Sequence, residues 1–519
     1  MSSPTRTVLT GGLIADGLGG APIVGDVVVV GDRIDAVVPV GQRPAGGYDA
    51  AIVDCTDRVV APGFVDIHCH SDLSLLAYPG NESRITQGIT TEVVGNCGMS
   101  PAPGNADAEG LARIISTIDV TPDLEWAWHD VAGWLQALEE CATATNVAAH
   151  VGHGSARFAV SGTSTAPLGR DGLTALEREV EAAFSAGVVG VSVGLMYAPG
   201  ASADAEELAA IARIVAAHDG VLSAHLRDYR TSRLQHSIDG LADAVGERGA
   251  RLQLSHLRGI GGEAGFDGAL EHVEALRSTM DVAADAYPYV HGHTTLIQLL
   301  PEHLRDAGPD GVLAACLADP AGVAGALEAA GYGLDQIIIM KAAETPDAVG
   351  QDLTAERDPW HRLVDLLVAN RGLVDVAVES GRWSDVDLAL GRDWVSIASD
   401  GTALDRTHRA SAAHPRSWGA CSAGYRRLRQ LGTPVGDTVR RLTTAPAARV
   451  GILSGIAAGR RADLVVLDDA RFDSAATFAE PARGSVGLDH VFVNGTAVLT
   501  AGRPTGARPG ALLRKQQVA

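Results

Sequence analysis

Six side chains of metal-binding type stand where strand-like runs end. They are His68 and His70 in GFVDIHCH, Cys97 in GNCGMS, His225 in SAHLR, His256 in SHLRG and Asp400 in SDG. Imidazole, thiolate and carboxylate together are the donor set that Zn2+ prefers. His68 and His70 are two apart, so on an extended strand their side chains share a face. Taken singly, each residue has an ordinary explanation. A strand-end histidine is commonly structural, a lone cysteine is a small buried hydrophobe, and an aspartate in SDG serves as a turn or helix-capping residue. Their joint occurrence at the ends of five separate runs points to one metal site.

For those ends to meet, the runs must lie side by side and parallel. Residues 63–70, 91–95, 146–153, 187–195, 220–227, 251–257, 281–289 and 394–400 read as strands, with Ala- and Leu-rich amphipathic stretches between them. This βαβα alternation is the pattern of a parallel sheet, and eight strands close a barrel whose C-terminal ends form one mouth. A Rossmann arrangement is the competing topology, but no GxGxxG follows the first run. The expected fold is therefore α/β, a (β/α)8 TIM barrel over residues 61–450. About a hundred residues separate the last two runs, more than one helix needs. Within them, 295–350 reads as a helical, lid-like insertion with a strand of its own. Residues 1–60 and 451–519 read as short strands and turns, and are expected to combine into one small β-sandwich domain built from both chain ends.

Composition removes several classes of partner. The chain of 519 residues carries 63 acidic against 41 basic side chains, a formal charge of −22. That balance speaks against nucleic acid and anionic membranes, which need basic surface. No run approaches the ~18 unbroken apolar residues of a membrane span. The N-terminus shows no apolar core of a secretory signal, and Cys55, Cys69, Cys97, Cys141, Cys316 and Cys421 have no paired spacing. Free thiols and a cytoplasmic location are expected. The oligomeric state is not set by the sequence. Only two residues are lysines, Lys341 and Lys515.

In order along the chain, GFVDIHCH, GNCGMSPAP, GLMYAPG, SAHLR, SHLRG, DAYPY, SDG and HPRSWG resemble the N-acyl-D-amino-acid deacylases (D-aminoacylases) of the metal-dependent amidohydrolase superfamily. The likeness extends over nearly the whole chain. GNCG with Cys97 is its most specific piece, whereas HxH and SDG are shared across the superfamily. Hydantoinases, dihydroorotases and ureases bridge two metals through a carboxylated lysine on the fourth strand. No lysine precedes Lys341 here, so that bridge is excluded. The resemblance assigns its role to Cys97.

The resemblance implies one tight Zn2+ held by Cys97, His225 and His256, with a weaker second position lined by His68, His70 and Asp400. Asp400 is then the catalytic proton carrier. Arg258, Tyr287 and Arg416 match the family's anchors for a substrate α-carboxylate, and Tyr197 in GLMYAPG is a further pocket residue. Arg258 departs from the family, which carries lysine there; a guanidinium fork is also suited to a carboxylate. His150, His153, His291 and His293 are expected to be supporting residues. The implied substrate is a small N-acyl amino acid. Relatives that favour acidic D-residues place an arginine just after DAYPY, where this chain has VHGHTTLIQLLPEHL. Leu296, Ile297, Leu299 and Leu300 therefore suggest a preference for apolar D-residues, unless His291 or His293 supplies a cation or the lid brings an arginine from elsewhere. The alternatives are an amidase or cyclic-amide hydrolase using the same metal site on another substrate, a deaminase, and a non-catalytic barrel.

Overall fold

The computed structural model describes residues 6–515 apart from 43–48, 105–106, 116–123, 125, 262–263, 306 and 408–413. Its centre is a ring of eight strands: β1 (Phe64–Asp66), β2 (Ile89–Val94), β3 (Asn146–Gly152), β4 (Gly190–Gly194), β5 (Val221–His225), β6 (Arg251–Leu254), β7 (Val282–Ala286) and β8 (Val395–Ile397). Each strand pairs in parallel with the next. Side chains of β2 and β3 are buried on both faces, as parallel strands covered by helices must be. The ends of β1 and β8 are tied at the mouth: the Asp400 amide donates to the His68 carbonyl at 2.8 Å, and the His70 amide to the Gly401 carbonyl at 2.8 Å.

The outer helices form because their apolar residues recur at helical spacing. In Ala205–Ala217, Leu208, Ile211, Ala212 and Val215 are buried, and the Asp204 carboxylate accepts from the Glu207 amide at 2.9 Å. That cap satisfies an N–H the helix cannot, and is worth about 0.5–2 kcal/mol. Among the described residues, no single helix is long and apolar enough to cross a membrane.

The chain ends join in one nine-stranded sheet. Its seam is the antiparallel pairing of Val59–Pro62 with Leu464–Leu467, and Leu9, Val27, Ile34, Val60, Leu464 and Phe492 share its core. The insertion between β7 and β8 is larger than the expected 295–350. Strands His291–Thr295, Ile337–Lys341 and Asp375–Glu379 form an antiparallel sheet, and Leu296, Leu300, Ile339, Leu363, Leu366 and Val376 pack in a core separate from the barrel's. The first strand, HGHTT, has no apolar alternation, which is why sequence pattern misses it.

Candidate metal centre and its cavity

All six candidate donors gather at the mouth, and all are at least nine-tenths buried. β1 ends at Asp66, so His68 and His70 lie in the bend beyond it rather than on the strand. Their rings still meet edge to face, with centroids 5.4 Å apart. Cys97 follows β2, His225 ends β5, and His256 and Asp400 follow β6 and β8. Cys97, His256 and Asp400 have positive φ of 53°, 34° and 49°. Side chains other than glycine's rarely adopt that region, and it persists where surrounding packing imposes it. The Cys97 loop illustrates how: a Cβ on Gly194 would collide with the Cys97 carbonyl oxygen. Only glycine on β4 admits the loop so deeply.

Cys97 Sγ lies 3.4 Å from His68 Nε2, 3.4 Å from His225 Nδ1 and 3.5 Å from His256 Nε2. A tetrahedral zinc with Zn–S near 2.3 Å and Zn–N near 2.0–2.1 Å separates sulfur and nitrogen ligands by about 3.5 Å. The three sulfur–nitrogen separations around Cys97 therefore match those of a tetrahedral zinc site. Ligand atoms of His68, Cys97 and His256 lie within 4.8 Å of one another, as do those of His68, His70 and Asp400. The two groups share His68, which the sequence places only in the second, and neither includes His225, which the sequence places in the first and which approaches Cys97 alone. Burial pushes the Cys97 thiol up, but His68, His225 and His70 outweigh it and hold the group well below its usual range. These neighbours favour the thiolate, the form that binds metal.

Asp400 accepts from Arg416 at 2.6 Å and lies 3.0 Å from His70 Nε2. Burial raises its carboxyl, yet Arg416, His256, His70 and His68 bring it well below the ordinary carboxylate range. Arg416 is 3% exposed and is committed to Asp400, so the expected clamp loses one independent cation. Arg258 is different. Its guanidinium donates to the Tyr287 hydroxyl and the Ser380 hydroxyl, both neutral. The Tyr287 ring lies between the two arginines, 5.7 Å from Arg258 and 5.1 Å from Arg416. Tyr197 packs edge-on to His225 at 4.7 Å and lines the same cavity as Thr294.

These groups line a cavity of about 120 Å3, with Met196, Ile260, Leu299, Tyr332 and Val378 as its apolar surface. Of the four expected apolar residues, only Leu299 lines it. Leu296, Ile297 and Leu300 belong to the insertion's core instead. His293 is pushed down to about 3 by burial and by Arg416, and burial also lowers His291. Both are thereby shifted towards the neutral form. His150 is held neutral within β3, pushed to about 3 by burial and by His68, and His153 pairs with Glu207 at 2.6 Å.

Sequence reasoning missed the groups that support the donors. Asp285, two before Tyr287 in DAYPY, accepts from the His256 amide at 2.7 Å and lies 3.4 Å from His68 Nδ1. Asp66 accepts from the Ser399 amide at 2.9 Å, and Arg84 donates to Ser399 at 2.9 Å and to Glu92 at 3.1 Å. Asp66 and Asp285 sit inside motifs already singled out, which is the signal that could have found them. Arg84 and Ser380 carry no local signal.

Residues 51–332 match the model of the amidohydrolase family. An N-acyl-D-glutamate deacylase of Alcaligenes xylosoxydans xylosoxydans is 32% identical, covering 99% of this chain and 98% of its own. The chain belongs to the amidohydrolase family. Among solved structures, an N-acyl-D-glutamate deacylase from Bordetella bronchiseptica, complexed with zinc and a phosphonate mimic of the tetrahedral intermediate, superposes with a TM-score of 0.83 at 28% identity, over 99% of this chain and all of the other. A D-aminoacylase described by a binuclear metal centre, with one-metal activation and second-metal attenuation, gives 0.81 at 28% identity and the same coverage. Within the amidohydrolases, the chain falls among the N-acyl-D-amino-acid deacylases.

Proposed function

We propose that this amidohydrolase is a zinc-dependent N-acyl-D-amino-acid deacylase, releasing a carboxylic acid and a free D-amino acid, with apolar side chains preferred. The carrying observation is one cavity that joins a Cys97 thiolate ringed by imidazoles to Arg258, a guanidinium whose partners are neutral. An uncharged amide has no use for that cation. The D configuration is taken from the relatives.

Cys97, His225 and His256 would hold one zinc tightly, and His68, His70 and Asp400 a weaker second cation. When bound, zinc supplies Lewis acidity and lowers the pKa of water towards ~7. Asp400, ionised and fixed by Arg416 and His70, takes a proton from the attacking water as its oxygen bonds to the acyl carbon. It returns the proton to the amide nitrogen as the C–N bond breaks. Arg258 and Tyr287 receive the α-carboxylate, Arg416 adds positive charge behind the Tyr287 ring, and Tyr197 fixes the face of His225. Met196, Ile260, Leu299 and Val378 favour an apolar side chain at about 0.8 kcal/mol per buried methylene, while an unpaired carboxylate against them costs several kcal/mol. The six free thiols support action in the cytoplasm.

One observation favours a second reading, acidic D-residues: beyond Leu299 the outer rim carries Arg230, Arg233 and Arg305. A hydrolysis screen of N-acetyl-D- and N-acetyl-L-amino acids decides both points. The expected result is turnover of D-substrates only, with kcat/KM for D-leucine above that for D-glutamate. Equal turnover of L-substrates overturns the D specificity, absence of turnover overturns the deacylase reading, and a higher value for D-glutamate replaces the apolar preference with the second reading.

A further inference from the structure

A second cavity, of about 140 Å3, adjoins the active one, and Tyr197 and Gln298 line both. The partition between them is thus formed by these two side chains. The remaining wall is largely hydrocarbon, with Met99, Ile114, Ala198, Ile297 and Leu373 contributing. Its far side is joined by the Arg113–Asp310 ion pair at 2.7 Å, between helix Ala108–Ile115 of the barrel and helix Gly308–Ala318 of the insertion.

Position around the barrel gives this cavity a meaning. Met99 follows β2, and Tyr197 and Ala198 follow β4, so the cavity lies over the arc centred on β3. Arg258 and Tyr287 follow β6 and β7. In a ring of eight, β3 and β7 are diametrically opposed, and the metal donors lie between. The substrate has the same polarity: its α-carboxylate and its acyl chain leave the scissile C–N bond in opposite directions. With the carboxylate at Arg258 and the amide at the donors, the acyl chain heads for the β2–β4 arc.

We propose that this second cavity is the acyl-chain subsite, and that N-acyl-D-amino acids with extended apolar acyl chains are substrates. The proposal rests on the deacylase reading. The chain passes the Tyr197–Gln298 partition, where the barrel and the insertion meet. Burial in hydrocarbon walls then adds binding with each methylene, up to about fourfold per methylene.

The test is kcat/KM for N-acetyl-, N-butyryl-, N-hexanoyl- and N-octanoyl-D-leucine with the wild-type holoenzyme and the variants Ile114→Trp and Thr163→Trp, which add bulk to the second cavity's wall from helix Ala108–Ile115 and from the turn at Thr163. The wild type should gain roughly tenfold or more from acetyl to octanoyl. Both variants should keep acetyl turnover within about twofold of wild type, which shows that they fold, and lose the gain. A flat or falling wild-type profile with sound acetyl turnover overturns the subsite alone. So does a gain that both variants leave intact. Absence of turnover with acetyl and every longer chain overturns the deacylase reading, and the subsite with it.

Discussion

The barrel mouth and the insertion build one cavity by different means. The mouth's donors sit on strand ends anchored in the largest core of the molecule, held so firmly that Cys97, His256 and Asp400 keep left-handed backbones. The insertion brings Thr294, Gln298, Leu299, Tyr332, Val378 and Ser380 to the same cavity from a small sheet with its own core. Reactive groups need positions fixed to fractions of an ångström, and a closed barrel supplies them. Recognition groups tolerate a separately folded support. The division implies that damage at the mouth abolishes chemistry, whereas damage in the insertion changes which substrate is taken.

The largest expected effect is at the mouth. Asp400→Asn should retain zinc and lower kcat by about 10²–10⁴-fold, the usual worth of a positioned acid–base group. Near-normal turnover would remove Asp400 from proton transfer. Next, Arg258→Ala should cost about 2–5 kcal/mol in kcat/KM for substrates with an α-carboxylate and little for the matching carboxamide. Equal losses on the two substrates would break the assignment of carboxylate recognition.

Smaller effects belong to the insertion. Burial raises Asp375 to about 6, opposed by Lys341, its register partner across the sheet. The folded pKa lies above the ordinary value, so the group's contribution is fully present below about pH 4 and is lost as pH rises through about 6. Relative to wild type, Asp375→Asn should therefore gain about 1–3 kcal/mol between pH 4 and pH 7 in denaturant unfolding, with no change in kcat. A constant difference across that range would contradict the buried, ionised carboxylate. The smallest effect is Ser380→Ala, which removes one neutral partner of Arg258. It should raise KM by the equivalent of about 0.5–1.5 kcal/mol and leave kcat unchanged.

The same division governs how much could be read from sequence. The eight barrel strands announce themselves because parallel strands buried on both faces give continuous apolar runs, and the six donors stand at their ends. The lysine count excluded one kind of metal bridge without any structure. The insertion was legible only as excess length: HGHTT lacks alternation, and three of the four apolar residues after it turn into the insertion's own core. The partner of Arg416 was equally hidden, because a 16-residue separation from Asp400 says nothing about contact. Ser380 lies 122 positions from Arg258, and only the folded insertion brings it there.

Zinc content of the purified wild type and of Cys97→Ala, measured beside deacylase activity, tests the central claim most directly. The account predicts about one tightly held zinc per wild-type chain, and a Cys97→Ala protein that folds but retains neither zinc nor activity. Full zinc occupancy in Cys97→Ala, with turnover preserved, would contradict it.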